Sequence, residues 1–314
     1  MAVNRLLGLL VNGAARRAVL AGAGVVLGMG STASAAFVIA NDGFETDTHP
    51  TGFRTVAVAS PVPGNNGIRF FTVKDPNAAS ASITNDVVLG SNALVVNNTP
   101  NSTSFPIVGN LPLFPTLNNV NDNVTLTFRF RFLNAPTSAP SNSAFRFGIY
   151  SSNGTPVTGD NQIGASDNDQ GYYVQIGDAD QVVNNLFYRE SGGTSPILGG
   201  TDRSTGNASA GVAGITDTNA HTAAFSITRT DAATYRLALS IDGGTPVTMN
   251  AGTPYTQFDQ IAFSNGFGNP AMNFAIDDVR IEATAYAIPE PASLSLAAIG
   301  AIGLLARRRR VASR

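Results

Sequence analysis

The run Val124-Thr125-Leu126-Thr127-Phe128-Arg129-Phe130-Arg131-Phe132 constrains the fold more than any other stretch. Apolar and polar residues alternate through it, and a side-chain period of two belongs to a β-strand with one buried face. Ala144 to Tyr150 repeats the pattern, with Phe145, Phe147 and Ile149 turned inward. Tyr172 to Ile176, Leu186 to Arg189, Ala223 to Thr228 and Tyr235 to Ile241 read as further strands. Asp242-Gly243-Gly244 is a tight-turn signal that predicts a hairpin of Tyr235 to Ile241 with Pro246 to Met249. Phe258 to Phe263 and Asn273 to Ile281 complete the set. Between them lie Asn-, Gly-, Pro- and Ser-rich loops: Pro61 to Gly67, Asn97 to Ser104, Pro136 to Ser143 and Gly192 to Gly214. No amphipathic helix interrupts the series. The expectation is an all-β domain, a two-sheet sandwich held by its phenylalanine-rich sheet interface.

Both ends of the chain read differently from this body. Arg5, Arg16 and Arg17 precede an apolar run from Ala18 to Met29, and Ala33-Ser34-Ala35 is a small-x-small cleavage site. Residues 1–35 therefore read as a secretory signal, with Ala36 first in the mature chain. At the other end Pro289-Glu290-Pro291 precedes the uncharged run Ala292 to Ala306, and Arg307, Arg308, Arg309 and Arg310 follow it. As a helix that run would be about 22 Å long, short of the roughly 30 Å bilayer core. Local thinning and snorkelling arginines close part of the gap, and the arginines belong on the cytoplasmic side. The division is 1–35 signal, 36–286 sandwich and 287–314 tail.

Pro289-Glu290-Pro291, the short apolar helix and Arg307 to Arg310 together resemble the PEP-CTERM sorting signal of certain Gram-negative bacteria. The resemblance implies an exosortase and secretion machinery as partners and a passing membrane anchor through the tail helix. It also implies residence at the cell surface or in the extracellular matrix, as in a biofilm. At the N-terminus, Arg16-Arg17-Ala18-Val19-Leu20 resembles a twin-arginine signal, beside the ordinary secretory reading.

Charge and composition exclude several function classes. Eight of the 19 basic residues lie in the two end segments, leaving eleven against 21 acids, a net charge of about −10 between residues 36 and 290. An acidic body with Lys74 as its one lysine disfavours nucleic acid and anionic membrane surfaces. With no cysteine, thiolate metal sites and thiol catalysis are excluded. His49 and His221 alone cannot build a multi-histidine zinc site.

The two ends of the body carry a second resemblance. Asn41-Asp42-Gly43-Phe44-Glu45 is similar to the opening of jelly-roll carbohydrate-binding modules. Phe274-Ala275-Ile276-Asp277-Asp278-Val279-Arg280-Ile281 is similar to their closing strand, and to that of concanavalin A-like jelly rolls. His221 to Ile227 with Tyr235 to Gly244 resembles the penultimate hairpin of the laminin-G and concanavalin-like group. The likeness implies a jelly-roll sandwich whose first and last strands pair. It also implies a structural calcium shared by Glu45 with Asp277 or Asp278; a solvated edge with two exposed aspartates is the other reading of those residues. Phe274 and Ile276 share one phase and Val279 and Ile281 the other, so a bulge falls at Asp277-Asp278.

Other candidate sites compete with ordinary structural roles. Asp167-Asn168-Asp169-Gln170-Gly171 places oxygen ligands at alternate positions like the front of a calcium loop, and reads equally as an Asn/Asp turn before a strand. Asp178 and Asp180, with Glu190, are the nearest approach to a glycosidase pair, but no motif of a hydrolase is present. Polysaccharide platforms present aromatic faces, and this chain has no tryptophan; Tyr172, Tyr173 and Tyr188 are the substitutes. Alternation puts Tyr172 and Tyr173 on opposite faces. The reading is a non-catalytic surface or matrix protein, structural or adhesive, with binding of extracellular polysaccharide as the alternative.

Overall fold

The computed structural model describes residues 36–44, 67–73, 79–98, 106–135, 144–160, 162–177, 187–193, 197–198, 203–205, 214–252, 255–265 and 273–287. All belong to one compact unit, Ser34–Arg314. In chain order the strands begin with β1 (Phe37–Asp42), β2 (Arg69–Thr72), β3 (Ala79–Asp86), β4 (Ser91–Asn98), β5 (Ile107–Asn110) and β6 (Phe114–Pro115). They continue with β7 (Asn123–Phe132), β8 (Ala144–Ser151), β9 (Gln170–Gly177), β10 (Phe187–Ser191) and β11 (Arg203–Thr205). The last are β12 (His221–Arg229), β13 (Thr234–Ile241), β14 (Val247–Gly252), β15 (Gln260–Asn265), β16 (Phe274–Ala283) and β17 (Tyr286–Ala287). One turn of 3-10 helix, Ile163–Ser166, precedes β9, and no α-helix occurs among the described residues.

Two antiparallel sheets form the jelly-roll sandwich. The first runs β14-β13-β12-β7-β16-β4-β3, with β1 also on β16; the second runs β11-β10-β9-β8-β15-β5-β2. Outside the β3–β4 hairpin and the meanders β8 to β11 and β12 to β14, the chain changes sheets from strand to strand, which leaves strands distant in sequence as neighbours. A small ladder of β17 with β6 closes one end.

The alternation of β7 holds through its whole length: Val124, Leu126, Phe128, Phe130 and Phe132 are buried. They meet the second sheet ring to ring. Phe128 packs edge-on against Phe147 at 4.8 Å and Phe263 at 5.0 Å, and Phe130 stacks on Phe145 at 5.2 Å. Offset and edge-on geometries suit the ring quadrupoles, and each pair adds to the area it buries. The expected hairpin is β13–β14, turning at Asp242 and Gly243, both with positive φ.

The structure holds strands that the sequence reading did not predict, β2, β5, β6 and β17 among them. Residues 192–214 contain β11, which pairs with β10 through Tyr188 to Glu190. The β3–β4 hairpin gave no strand signal, because Ala79-Ser80-Ala81-Ser82 alternates only small residues and its turn lacks Asn-Gly. Asp86 organises that turn instead, accepting the Val88 and Leu89 N–H groups at 3.0 Å each. Its carboxylate also takes Arg131 in a two-point contact from β7, at 2.8 Å from Nε and 2.7 Å from Nη2.

Candidate functional site

The chemically richest part of the molecule is the outer face of the second sheet. Phe145, Phe147 and Ile149 of β8 point into the main core, so Arg146, Gly148 and Tyr150 point outward. Strand register then sets three rungs. The first joins Glu190, Gly171, Tyr150, Gln260, Asn110 and Arg69. The second joins Tyr188, Tyr173, Gly148, Ala262, Val108 and Phe71, and the third Gln175, Arg146 and Ser264. An apolar band thus separates two polar ones. Gly148 and Gly171 leave a trough for the Tyr150 ring: a Cβ on either would lie 2.6 Å from it.

This face is not open to solvent. Val157, Ile197 and Leu198 cover the apolar rung and join it in a second apolar cluster. The Leu198 peptide fastens the cover at both polar rungs. Its N–H donates to Glu190 Oε2 at 3.1 Å, and its carbonyl accepts from Arg146 Nη1 at 2.8 Å. Leu198 does this at φ 65°, a left-handed conformation that costs a branched side chain about 1 kcal/mol or more. Arg146, itself buried, gives its Nε–H to Gln175 Oε1 at 3.1 Å.

Below the cover sits a group of acids. Asp259 accepts Ser152 N–H at 2.7 Å and Ser152 Oγ–H at 2.5 Å. The Gln260 amide is best oriented with its nitrogen 2.9 Å from Asp169 Oδ2, while Asp169 Oδ1 is buried without a partner. Burial, and then the charges of Asp259, Glu190 and Asp167, push the Asp169 carboxyl up to about 8. Burial also raises Asp259, against the pull of Ser152. The Tyr150 phenol is raised well above its ordinary value by burial and by Glu190 beside it. A carboxyl that keeps its proton at neutral pH has the electronic character of a general acid. Asp169 and Glu190 are 3% and 2% exposed, however, and an acid–base pair must touch its substrate. As placed, Glu190 holds the cover down through the Leu198 N–H.

The three tyrosines chosen as a platform fall on this sheet. Tyr172 and Tyr173 do occupy opposite faces. Tyr172 enters the main core, 5.4 Å from Tyr255 and 6.0 Å from Tyr235. Tyr173 stacks flat on Tyr188 at 4.7 Å and 7° on the outer face, beneath the cover. All three are buried, so none presents a free ring face.

The closing strand shows the expected pairing and the expected bulge. β1 pairs with β16 from Phe37↔Ala283 to Asp42↔Val279, and the β16–β7 register shifts between Asp277 and Arg280. The bulge has a cause the sequence did not show. β4 flanks β16 at Phe274 to Ile276 and β1 flanks it from Val279 onward, so Asp277-Asp278 marks the handover between two neighbours. Asp277 is buried there, accepting from Ser91 Oγ at the start of β4 and from the Asp278 N–H at 2.7 Å. Asp278, at φ 50°, is exposed and faces Arg129 at 3.4 Å. Asp277 is thus caged and Asp278 turned to an arginine, while Glu45, the remaining residue of the expected calcium site, falls among residues the structure does not describe. No group of three metal-ligating side chains gathers among the described residues. Glu45, Asp178, Asp180, His49 and the sorting residues Pro289, Glu290, Pro291 and Arg307 to Arg310 lie outside the described residues.

Glu190 and Asp169 were visible in the sequence as candidates for other roles. Arg146, Tyr150 and Asp259 were not, because each sits in a strand or turn phase that reads as solvent-facing.

Residues 287–310 match the PEP-CTERM protein-sorting motif. That motif marks an exported protein, processed by an exosortase. No curated protein matches the chain. Among solved structures it is similar to lectin II from Ulex europaeus, at 14% identity over 71% of this chain and 95% of that one, TM-score 0.37. It is also similar to a protein of unknown function with a galectin-like fold from Bacillus subtilis, at 11% identity over 68% and 89%, TM-score 0.40. A carbohydrate esterase from the Shiga toxin-encoding bacteriophage phi24B gives 16% identity over 70% and 100%, TM-score 0.36. These likenesses are distant, and nothing about this chain's ligand follows from them.

Proposed function

We propose that this chain is an exported, non-catalytic sandwich module with a structural or adhesive role at the cell surface or in the extracellular matrix. The observation that carries the reading is the junction of fold and motif. The last ladder of the body ends at Ala287, where the sorting motif begins. A finished domain is thus delivered directly to a sorting tail. The burial of Asp169 and Glu190 supports the non-catalytic part.

The test is to follow the protein in an exosortase-bearing host, beside a Pro289→Ala, Glu290→Ala, Pro291→Ala variant and a host lacking the exosortase. The unaltered chain is expected at the surface or in the matrix fraction, and both alterations should hold it in the inner membrane. Identical fractionation of all three would sink the proposal.

A second reading, binding of extracellular polysaccharide, is favoured by the flat Tyr173–Tyr188 stack between two polar rungs. It requires the Leu198 cover to move. Affinity electrophoresis against bacterial and algal polysaccharides tests it: retardation lost on Tyr188→Ala supports it, and no retardation by any glycan removes it.

A further inference from the structure

His221 opens β12 at the rim of the sandwich, in the phase of buried Ala223 and Phe225. Its ring lies 5.7 Å from Phe130 of β7. Nδ1 is 2.7 Å from Asp242 Oδ2, and Nε2 is 2.9 Å from Asp217 Oδ1. Asp242 sits in the β13–β14 turn at φ 52°, and its other oxygen accepts the Thr222 N–H at 2.7 Å. Asp217 belongs to the connection that carries the chain from β11 in the second sheet to β12 in the first, and it accepts the Asn219 N–H at 2.9 Å. These two aspartates are the charged groups set against the ring. β7 contributes the uncharged Phe130, while Arg129 stands opposite Thr222 in the other phase.

The chemistry of this triplet depends on one proton. Ionised carboxylates only accept hydrogen bonds, and neutral imidazole has one N–H and one lone pair. A neutral His221 can donate to one aspartate, and must then turn a lone pair on the other at a distance where two acceptors repel. The imidazolium donates to both. We propose that His221 is a proton-operated clasp, fastening the β11–β12 crossover at Asp217 to the β13–β14 turn at Asp242 when protonated and releasing one side when neutral.

The electrostatics agree with the geometry. Burial alone would lower the His221 value, but the hydrogen bonds to Asp242 and Asp217 outweigh it and hold the ring above its ordinary value. His221 in turn holds Asp217 below the usual carboxylate range, and Asp242 likewise against its burial. A histidine raised on folding stabilises fully below its unfolded value of about 6.5, and that contribution fades as pH rises through the folded value. The clasp therefore works in the range just above pH 6.5, which an exported protein meets without cytoplasmic buffering.

Asp217→Asn separates the clasp from a merely structural contact. The amide introduced by that substitution can donate to the lone pair of a neutral ring and accept from a protonated one, so both sides stay satisfied at every pH. The experiment is hydrogen exchange by mass spectrometry on the full-length chain at pH 5.5, 6.5, 7.5 and 8.5, corrected for intrinsic exchange. In the unaltered protein, protection across residues 214–222 should fall about tenfold between the lowest and highest pH, the scale of one charge-assisted hydrogen bond. In Asp217→Asn it should stay flat, and in His221→Phe it should be low throughout. Unchanged protection of the unaltered chain across the range overturns the proposal without any variant, as does an Asp217→Asn profile that follows it.

Discussion

Replacing Asp169 by asparagine should stabilise the protein, increasingly so as pH rises. The folded carboxyl keeps its proton up to about 8, whereas an unfolded aspartate loses it near 3.9. Between those values the folded chain binds the extra proton, so its stability falls with rising pH and levels off above about 8. At about 1.4 kcal/mol per pH unit, the ceiling on that loss is about 4 kcal/mol at pH 7 and about 6 kcal/mol at pH 9. Asparagine keeps the shape, stays neutral and retains an oxygen to accept from Gln260, so it removes the slope and preserves the contact. Asp259 is present in both proteins, so its own contribution largely cancels in the comparison. The assay is urea unfolding at pH 5, 7 and 9, followed by circular dichroism because no tryptophan is available. The difference between the variant and the unaltered protein should widen by at least about 1.5 kcal/mol between pH 5 and pH 9. A difference flat to within about 0.5 kcal/mol would mean that Asp169 is ionised in the fold.

Other perturbations test other parts of the structure. Phe130→Ala removes a fully buried ring that touches Phe128, Phe132 and Phe145, and should cost about 3–5 kcal/mol in the same assay; a loss under about 1 kcal/mol would contradict the register of β7. Gly171→Ala would set a methyl 2.4 Å from the Ile149 carbonyl oxygen, so it should destabilise by about 1–3 kcal/mol, and a neutral result would show that the Tyr150 trough is looser than drawn. Calcium should leave the melting temperature within about 1 °C of its value in chelator, because Asp277 is already caged by Ser91 and the Asp278 amide. A rise of about 5 °C or more would show that the closing strand binds calcium.

How much of this was legible depended on whether a residue's neighbours were local. β7 could be read outright, because its alternation is internal to nine residues. The bulge at Asp277-Asp278 could be read from a phase change within one strand. Its reason could not, since it requires knowing that β4 and β1 share one flank of β16. The β3 strand carried too few large side chains to announce itself. The outer-face group was hidden for a different reason. Arg146, Gln175, Glu190 and Gln260 occupy the phase that faces water in a two-layer sandwich, and here two connecting segments add a third layer over them. A period of two shows which residues share a face, and it carries no information about what covers that face.

Strand β16 also determines how the domain meets mechanical load. Its tail-side end continues through β17 into the sorting motif, so any pull transmitted through an anchored tail reaches β16 first. β7 holds it along one side, and β4 and β1 hold it in succession along the other. To extract it, the hydrogen bonds of both ladders must slide together, whereas an edge strand would peel one bond at a time. A domain tethered in this way fails in shear, and the interruption between β4 and β1, bridged by Asp277 and Ser91, is where a crack would start.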